Sequence, residues 1–230
     1  MLIVPYLSSL PEKPEACFLH LFAEGLNLDV AHAPWSNHGT RATSAGEHLP
    51  KVKAALAHTD KALLVAFQVR TDGLLLQYDR DQDPVWQDSC VEIFLSPGGE
   101  PEGYYNFEFN ARGACLSAFG TSRHSRSEMS AANLAKIERW SSAQSLSNGF
   151  QPGIIDWQLL LRIPVDCLVH HTIPGWGNRE LRCNLQACGD HLPHPYYLVW
   201  APIATAKPDF HRPEFFQPLI CAASGSENGS

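Results

Sequence analysis

Several short stretches of the chain place apolar residues at every second position, the pattern of strands with one face turned to a core. In Tyr104–Asn110, Tyr105, Phe107 and Phe109 share one face and Asn106, Glu108 and Asn110 the other. Val91, Ile93 and Leu95 alternate in the same way within residues 89–95, and Pro97-Gly98-Gly99 breaks that run. Trp157, Leu159 and Leu161 line one face of residues 155–163, which Pro164 ends. Leu181–Ala187 sets Cys183, Leu185 and Ala187 against Arg182, Asn184 and Gln186. Val52, Ala54 and Leu56, followed by Ala62–Val69, read as a hairpin that ends at Thr71–Gly73. Cys115–Phe119, Tyr196–Trp200 and Phe216–Cys221 bring the set to roughly ten strands at regular spacing.

The remaining segments are turns and loops. Glu128–Trp140 reads as a short helix or as a loop leading to a strand, Ser141–Gly149 as a surface loop, and Val165–His170 as one helical turn. Frequent Pro and Gly leave room for at most short helical turns. The expected class is an all-β sandwich or barrel, with residues 1–222 as one domain and 223–230 as a disordered polar tail.

Composition narrows the function. The 230 residues are 44% hydrophobic, enough for one sizeable core. A net charge of −7 argues against nucleic acid and anionic membrane as partners. The basic cluster Arg123–Arg126 reads as a solvated loop. No apolar run is long enough to span a membrane as a helix. Seven cysteines, an odd number without a CxxC, suggest reduced buried thiols. Met1–Leu10 lacks the basic start and apolar run of a signal peptide, so a cytoplasmic location is the expectation.

The polar strand faces carry the candidate chemistry. Glu92, then Asn106, Glu108 and Asn110, then Arg182, Asn184 and Gln186 are amides and carboxylates with one Arg. Such groups meet the vicinal hydroxyls of a sugar with paired donors and acceptors. The same residues also suit an ordinary solvated face, or internal hydrogen bonds that support loops.

Asp83-Pro84-Val85-Trp86-Gln87-Asp88-Ser89-Cys90-Val91-Glu92-Ile93-Phe94-Leu95 resembles the signature strand of family 9 carbohydrate-binding modules and their DOMON-like relatives. Tyr104–Asn110, Asn184-Leu185-Gln186 and Pro208–Phe216 resemble later blocks, so the resemblance runs from about residue 50 to 221. It implies an immunoglobulin-like antiparallel β-sandwich that holds a mono- or oligosaccharide between two aromatic rings, without catalysis. Trp86 falls on the first ring's position and Phe210 on the second, where a Trp would sit. Glu92 falls on a carboxylate that accepts sugar hydroxyls, and Gln186 matches an amide contact. Glu108 stands where the sugar-binding members have an Arg, and Lys207 where they have an amide. His211 and Arg212 lie in the same block, where they fix the loop or reach the ligand. The resemblance also allows a secreted protein.

Other chemistries are weighed against this one. Glu92 and Glu108, on strands that could be neighbours, supply the two carboxylates a glycosidase needs. A haem-binding DOMON-like domain would use His211 as its best axial ligand. His191 and His194 near Cys188 and Asp190 match no standard zinc spacing. Asp79, Asp81 and Asp83 alternate in an acidic loop that leaves room for structural calcium; no other cofactor is expected.

Overall fold

The computed structural model describes residues 1–35, 49–98 and 103–225. Gly99 of the expected strand break and residues 226–230 of the expected tail lie outside the described residues.

In chain order the elements are β1 (Leu2–Val4), α1 (Pro14–Glu24), β2 (Leu26–Asp29), β3 (Lys51–His58), β4 (Ala62–Leu76), β5 (Cys90–Ser96), β6 (Tyr104–Asn110), β7 (Cys115–Ser122), β8 (Ser125–Glu128), α2 (Ala131–Leu134), β9 (Glu138–Ser141), β10 (Gly149–Pro164), β11 (Glu180–Cys188), β12 (Tyr197–Val199) and β13 (Gln217–Cys221). One sheet has the order β1-β13-β11-β5-β6-β7-β8, with β12 paired to β11; the other has the order β2-β3-β4-β10-β9. Pairing is antiparallel except between β1 and β13.

The alternating apolar faces meet between the sheets. Val91, Ile93, Leu95, Tyr105, Phe107, Phe109 and Leu185 pack in one cluster with Val65, Phe67, Trp157, Leu159 and Leu161. This is the expected all-β sandwich. Each buried Leu, Ile or Phe contributes on the order of 1.5–3 kcal/mol, so such a cluster can offset much of the chain entropy lost on folding.

Both outer sheet faces are also covered in part, which the alternation alone does not reveal. Beyond the second sheet lies α1, a helix that the sequence reading, with its short helical turns, did not contain. A proline in its first turn presets the backbone, and Cys17, Phe18 and Leu21 turn one face inward. They rest on Ala55, Ala57, Leu64 and Ala66; the small alanines let the helix approach closely. Beyond the first sheet, loops bury Phe94, Tyr104 and Phe216 in one patch and Trp35, Val199 and Ile203 in another.

Two glycines correct or refine the strand boundaries. The hairpin does not end at Thr71–Gly73, because β4 continues to Leu76. Gly73 has φ +94 and lies against the Phe150 ring, where a Cβ would come within 2.7 Å. Opposite it the β10 register slips between Gln151 and Ile154, so a β-bulge replaces the expected stop. In β7, a Cβ on Gly120 would fall 2.0 Å from the Ser125 carbonyl oxygen, a backbone atom of β8. Gly120→Ala is therefore expected to cost about 1–3 kcal/mol and to splay this hairpin, as overpacking does elsewhere. Chemical denaturation measures it, and an unchanged midpoint would contradict the tight contact.

The segment 128–140 resolves into both expected alternatives: α2 is a single turn capped by the Ser130 hydroxyl, and it leads into β9. Among the described residues no helix is long and apolar enough to cross a membrane. All seven cysteines are free and buried.

Candidate functional site

Register fixes the floor of the site. Across β11, β5 and β6, Gln186 pairs with Glu92 and Glu92 with Glu108. One row along, Cys188 pairs with Cys90 and Cys90 with Asn110; on the other side Asn184 pairs with Phe94 and Phe94 with Asn106. All these side chains point away from the inter-sheet core, yet all are buried. The polar face is thus a covered floor beneath the loop layer, not a solvated surface.

The three asparagines act as scaffold. Asn110 accepts from the main-chain N–H groups of Arg112, Gly113 and Ala114, and donates to Asp88. Asn184 exchanges two hydrogen bonds with the Ala201 backbone. Asn106 donates to Glu108 Oε1 at 2.9 Å and accepts from the Ala118 N–H. These amides hold loops. In contrast, Glu92 Oε2 and both polar atoms of the Gln186 side chain are buried without a partner among the described residues. Buried polar atoms are nearly always satisfied, and these lie beneath the hollow, where a ligand could meet them.

Above Glu92 and Glu108 opens a hollow of about 130 Å³. Trp86 forms one wall. Its neighbour Val85 is fully buried and anchors the turn, while the indole is half-buried. The Trp86 carbonyl oxygen accepts from the Cys188 thiol at 3.4 Å and the Asp190 N–H at 3.4 Å, tying this wall to the loop after β11. Phe210 lines the same hollow and is held by Trp35 and Tyr197 at ring-centroid distances of 5.8 and 6.2 Å.

The charged groups in the hollow are strongly perturbed. Burial, then the facing Glu108, pushes the Glu92 carboxyl well above the usual carboxylate range. Glu108 is raised to about 7 by burial, with Arg126 and Asn106 pulling the other way. Two carboxyls opposite each other on adjacent strands repel when both are ionised, so the pair retains a proton at neutral pH. Arg126 Nη1 lies 4.0 Å from Glu108 Oε1 and within 3.3 Å of both His211 ring nitrogens. Burial, then Arg126, pushes the His211 imidazole down to about 2. The neutral ring hydrogen-bonds through Nδ1 with the Tyr104 hydroxyl at 2.9 Å.

Of the residues singled out in the sequence, Trp86, Glu92, Glu108, Phe210 and His211 converge on this hollow. Gln186 lies in its floor beside Glu92. Lys207 and Arg212 are not brought in: Lys207 is exposed, and Arg212 pairs with Glu214 at 2.6 Å, fixing the loop rather than reaching the hollow. Arg123 and Arg126, read as a solvated loop, belong instead to the β7–β8 hairpin that borders the hollow. Asp190, Tyr197 and Asp209 also line it and were not singled out as ligand contacts. The Asp190 carboxylate and the Tyr197 hydroxyl are hydrogen-bonded to each other. Proximity of the Pro208–Phe216 block to both arginines was the missing signal, and it exists only in three dimensions.

The competing chemistries find less support in the geometry. His191 and His194 are exposed and do not line the hollow. In the acidic loop, Asp81 Oδ1 accepts from the Cys115 N–H and Oδ2 from Arg139 Nη2, both at 3.0 Å. The hollow, at about 130 Å³, is well below the roughly 300–1,000 Å³ of ordinary cofactor pockets, which lends no support to a haem beside His211.

A fixed polar floor beneath an aromatic-walled hollow, on a two-sheet sandwich, defines a small-ligand binding module. The profile described as Carbohydrate-binding family 9 matches residues 25–220. The chain belongs to this family. A crystal structure of a candidate carbohydrate-binding protein from Bacteroides uniformis ATCC 8492 is 29% identical, covers 96% of this chain and 98% of its own, and superposes with a TM-score of 0.86. A family 9 module from Caldicellulosiruptor kristjanssonii, solved with glucose, covers 100% of this chain and 99% of its own at 12% identity and a TM-score of 0.56. The same organism's module with cellotriose covers 100% and 97% at 13% identity, with a TM-score of 0.55. These two likenesses establish the shared fold. A search of curated protein sequences returns no match. The cytoplasmic location expected from the N-terminus gains no support from the family assignment.

Proposed function

We propose that the hollow holds one unit of a mono- or oligosaccharide and releases it unchanged. Its apolar C–H face rests on the Trp86 indole, with Phe210 as the second apolar wall. Its hydroxyls meet Glu92 and Gln186 from the floor and the guanidinium groups of Arg123 and Arg126 from the side. The carrying observation is the unpartnered Glu92 Oε2 in the floor of a hollow that Trp86 and Phe210 line. The resemblance places an Arg at the position of Glu108; here Arg126 brings a guanidinium to within 4.0 Å of it from another strand. The volume of about 130 Å³ suits a single terminal ring better than an enclosed chain.

Non-catalytic binding also fits the placement of the carboxyls. Glu92 and Glu108 stand side by side in the floor, so a bound ring meets both from one side. A glycosidase needs its two carboxyls to flank the scissile bond.

Calorimetric titration with glucose, cellotriose and a panel of other mono- and oligosaccharides tests the proposal. Saturable binding is expected at roughly micromolar to millimolar affinity, after one or two stacking contacts and a few charge-assisted hydrogen bonds offset the cost of association. Absence of saturable heat with every sugar at millimolar concentration would remove it.

A further inference from the structure

The floor contains a second constellation that sugar stacking does not require. Cys90 and Cys188 are a register pair across β5 and β11, and Glu92 follows Cys90 by two residues on the same face. The ligand atoms of Cys90, Glu92 and Cys188 all lie within 4.8 Å of one another. Each residue is at most 2% exposed. The Cys188 sulfur lies 3.2 Å from Glu92 Oε1, so its one proton is shared between that oxygen and the Trp86 carbonyl, while Glu92 Oε2 and the neighbouring Gln186 amide have no partner among the described residues. Ordinary buried cysteines fill apolar space; these two share a polar patch with a carboxyl and with three unsatisfied atoms.

We propose that Cys90, Glu92 and Cys188 form a binding site for one divalent zinc ion. Two thiolate sulfurs and one carboxylate oxygen are the ligand types zinc accepts, whereas magnesium and calcium select all-oxygen sets. The three residues sit on two adjacent, hydrogen-bonded strands, so their backbone positions are fixed before an ion arrives. Three protein ligands would leave one position for water or a ligand hydroxyl, and two of them, Glu92 and Cys188, line the hollow. Binding releases the two thiol protons and the proton held by the Glu92 carboxyl to solvent, and changes no oxidation state. Two thiolates and one carboxylate overbalance the ion's two positive charges by one, and Arg126 and Arg123 line the same hollow. The inference does not depend on sugar being the ligand.

The test uses the full chain, metal-stripped and kept reduced, with all seven thiols confirmed by counting in denaturant. Cobalt(II) serves as the optical probe and zinc as its competitor. One equivalent of cobalt is expected to give a thiolate-to-metal charge-transfer band with the visible absorption of a tetrahedral site. Zinc should abolish both signals. Cys90→Ser and Cys188→Ser should each weaken cobalt binding at least tenfold, whereas Cys17→Ser, in α1 beyond the other sheet, should leave it unchanged. Circular dichroism establishes that each variant is folded. No charge-transfer band in the reduced wild-type chain would overturn the inference, which needs no variant to fold. A band that persists in the folded Cys90→Ser/Cys188→Ser double variant would also overturn it. Trp86→Ala should retain the band, so failure of sugar binding and failure of metal binding are read separately.

Discussion

Trp86→Ala is expected to weaken sugar binding by about 5- to 150-fold, which takes a millimolar interaction beyond calorimetric detection. The range corresponds to the roughly 1–3 kcal/mol that a flat ring contributes when it stacks on an aromatic side chain. The expected cost in stability is smaller, because the indole is only half-buried and the turn is anchored separately by Val85. The hydrogen bonds from the Asp190 main-chain N–H and the Cys188 thiol to the carbonyl oxygen of residue 86 also survive truncation. Trp86→Phe should recover part of the affinity. Calorimetry paired with thermal melting makes the check: a variant that binds as tightly as the wild type places the sugar elsewhere. A variant that fails to fold would show the ring to be an architectural anchor.

Glu108→Gln is expected to make the metal-free protein more stable at pH 8 than the wild type, by on the order of 2–3 kcal/mol. In the unfolded chain this carboxyl ionises near the ordinary value of 4.5; in the folded protein burial raises it to about 7. Between those two values the folded state holds a proton that the unfolded state has released. Raising the pH through that window therefore works against folding, and the loss levels off above about pH 7. Each pH unit between the two values corresponds to about 1.4 kcal/mol. Glutamine stays neutral throughout, and its amide can still accept from Asn106. Part of the gain is offset because Arg126 loses its partner at 4.0 Å. Melting temperatures measured from pH 4 to 9 with a chelator present should show the variant's advantage growing across the window. Curves that run parallel for the two proteins would contradict a buried carboxyl that resists ionisation.

The sandwich was legible because its core strands obey a strict period of two. Tyr105, Phe107 and Phe109 announce their strand and face without tertiary information, and so do Trp157, Leu159 and Leu161. Helix α1 was missed because its inward face is short and rests on alanines, whose spacing within β3 and β4 looks like ordinary strand filling. Gly73 looked like a terminator; whether a glycine ends a strand or bulges it depends on what lies opposite, here Phe150.

The candidate site was legible only along its strands. Glu92, Glu108 and Gln186 could be placed on one face from alternation and resemblance. That the face is covered could not, because coverage comes from the distant segments around Trp35, Val199 and Phe210. Arg126 read as solvated because a mixed run of Arg, His and Ser carries no sign of the imidazole it meets 85 positions later. Lys207 and Arg212 sit in the right block, but alignment along a loop does not fix which way a side chain points.

The link from the Trp86 carbonyl to the strand end opposite has a thermodynamic consequence. It clamps the platform to its surroundings before any guest arrives, leaving little configurational freedom to be lost on docking. Affinity should then follow how readily the guest and the floor shed water, and stiffening the loops further should improve it little.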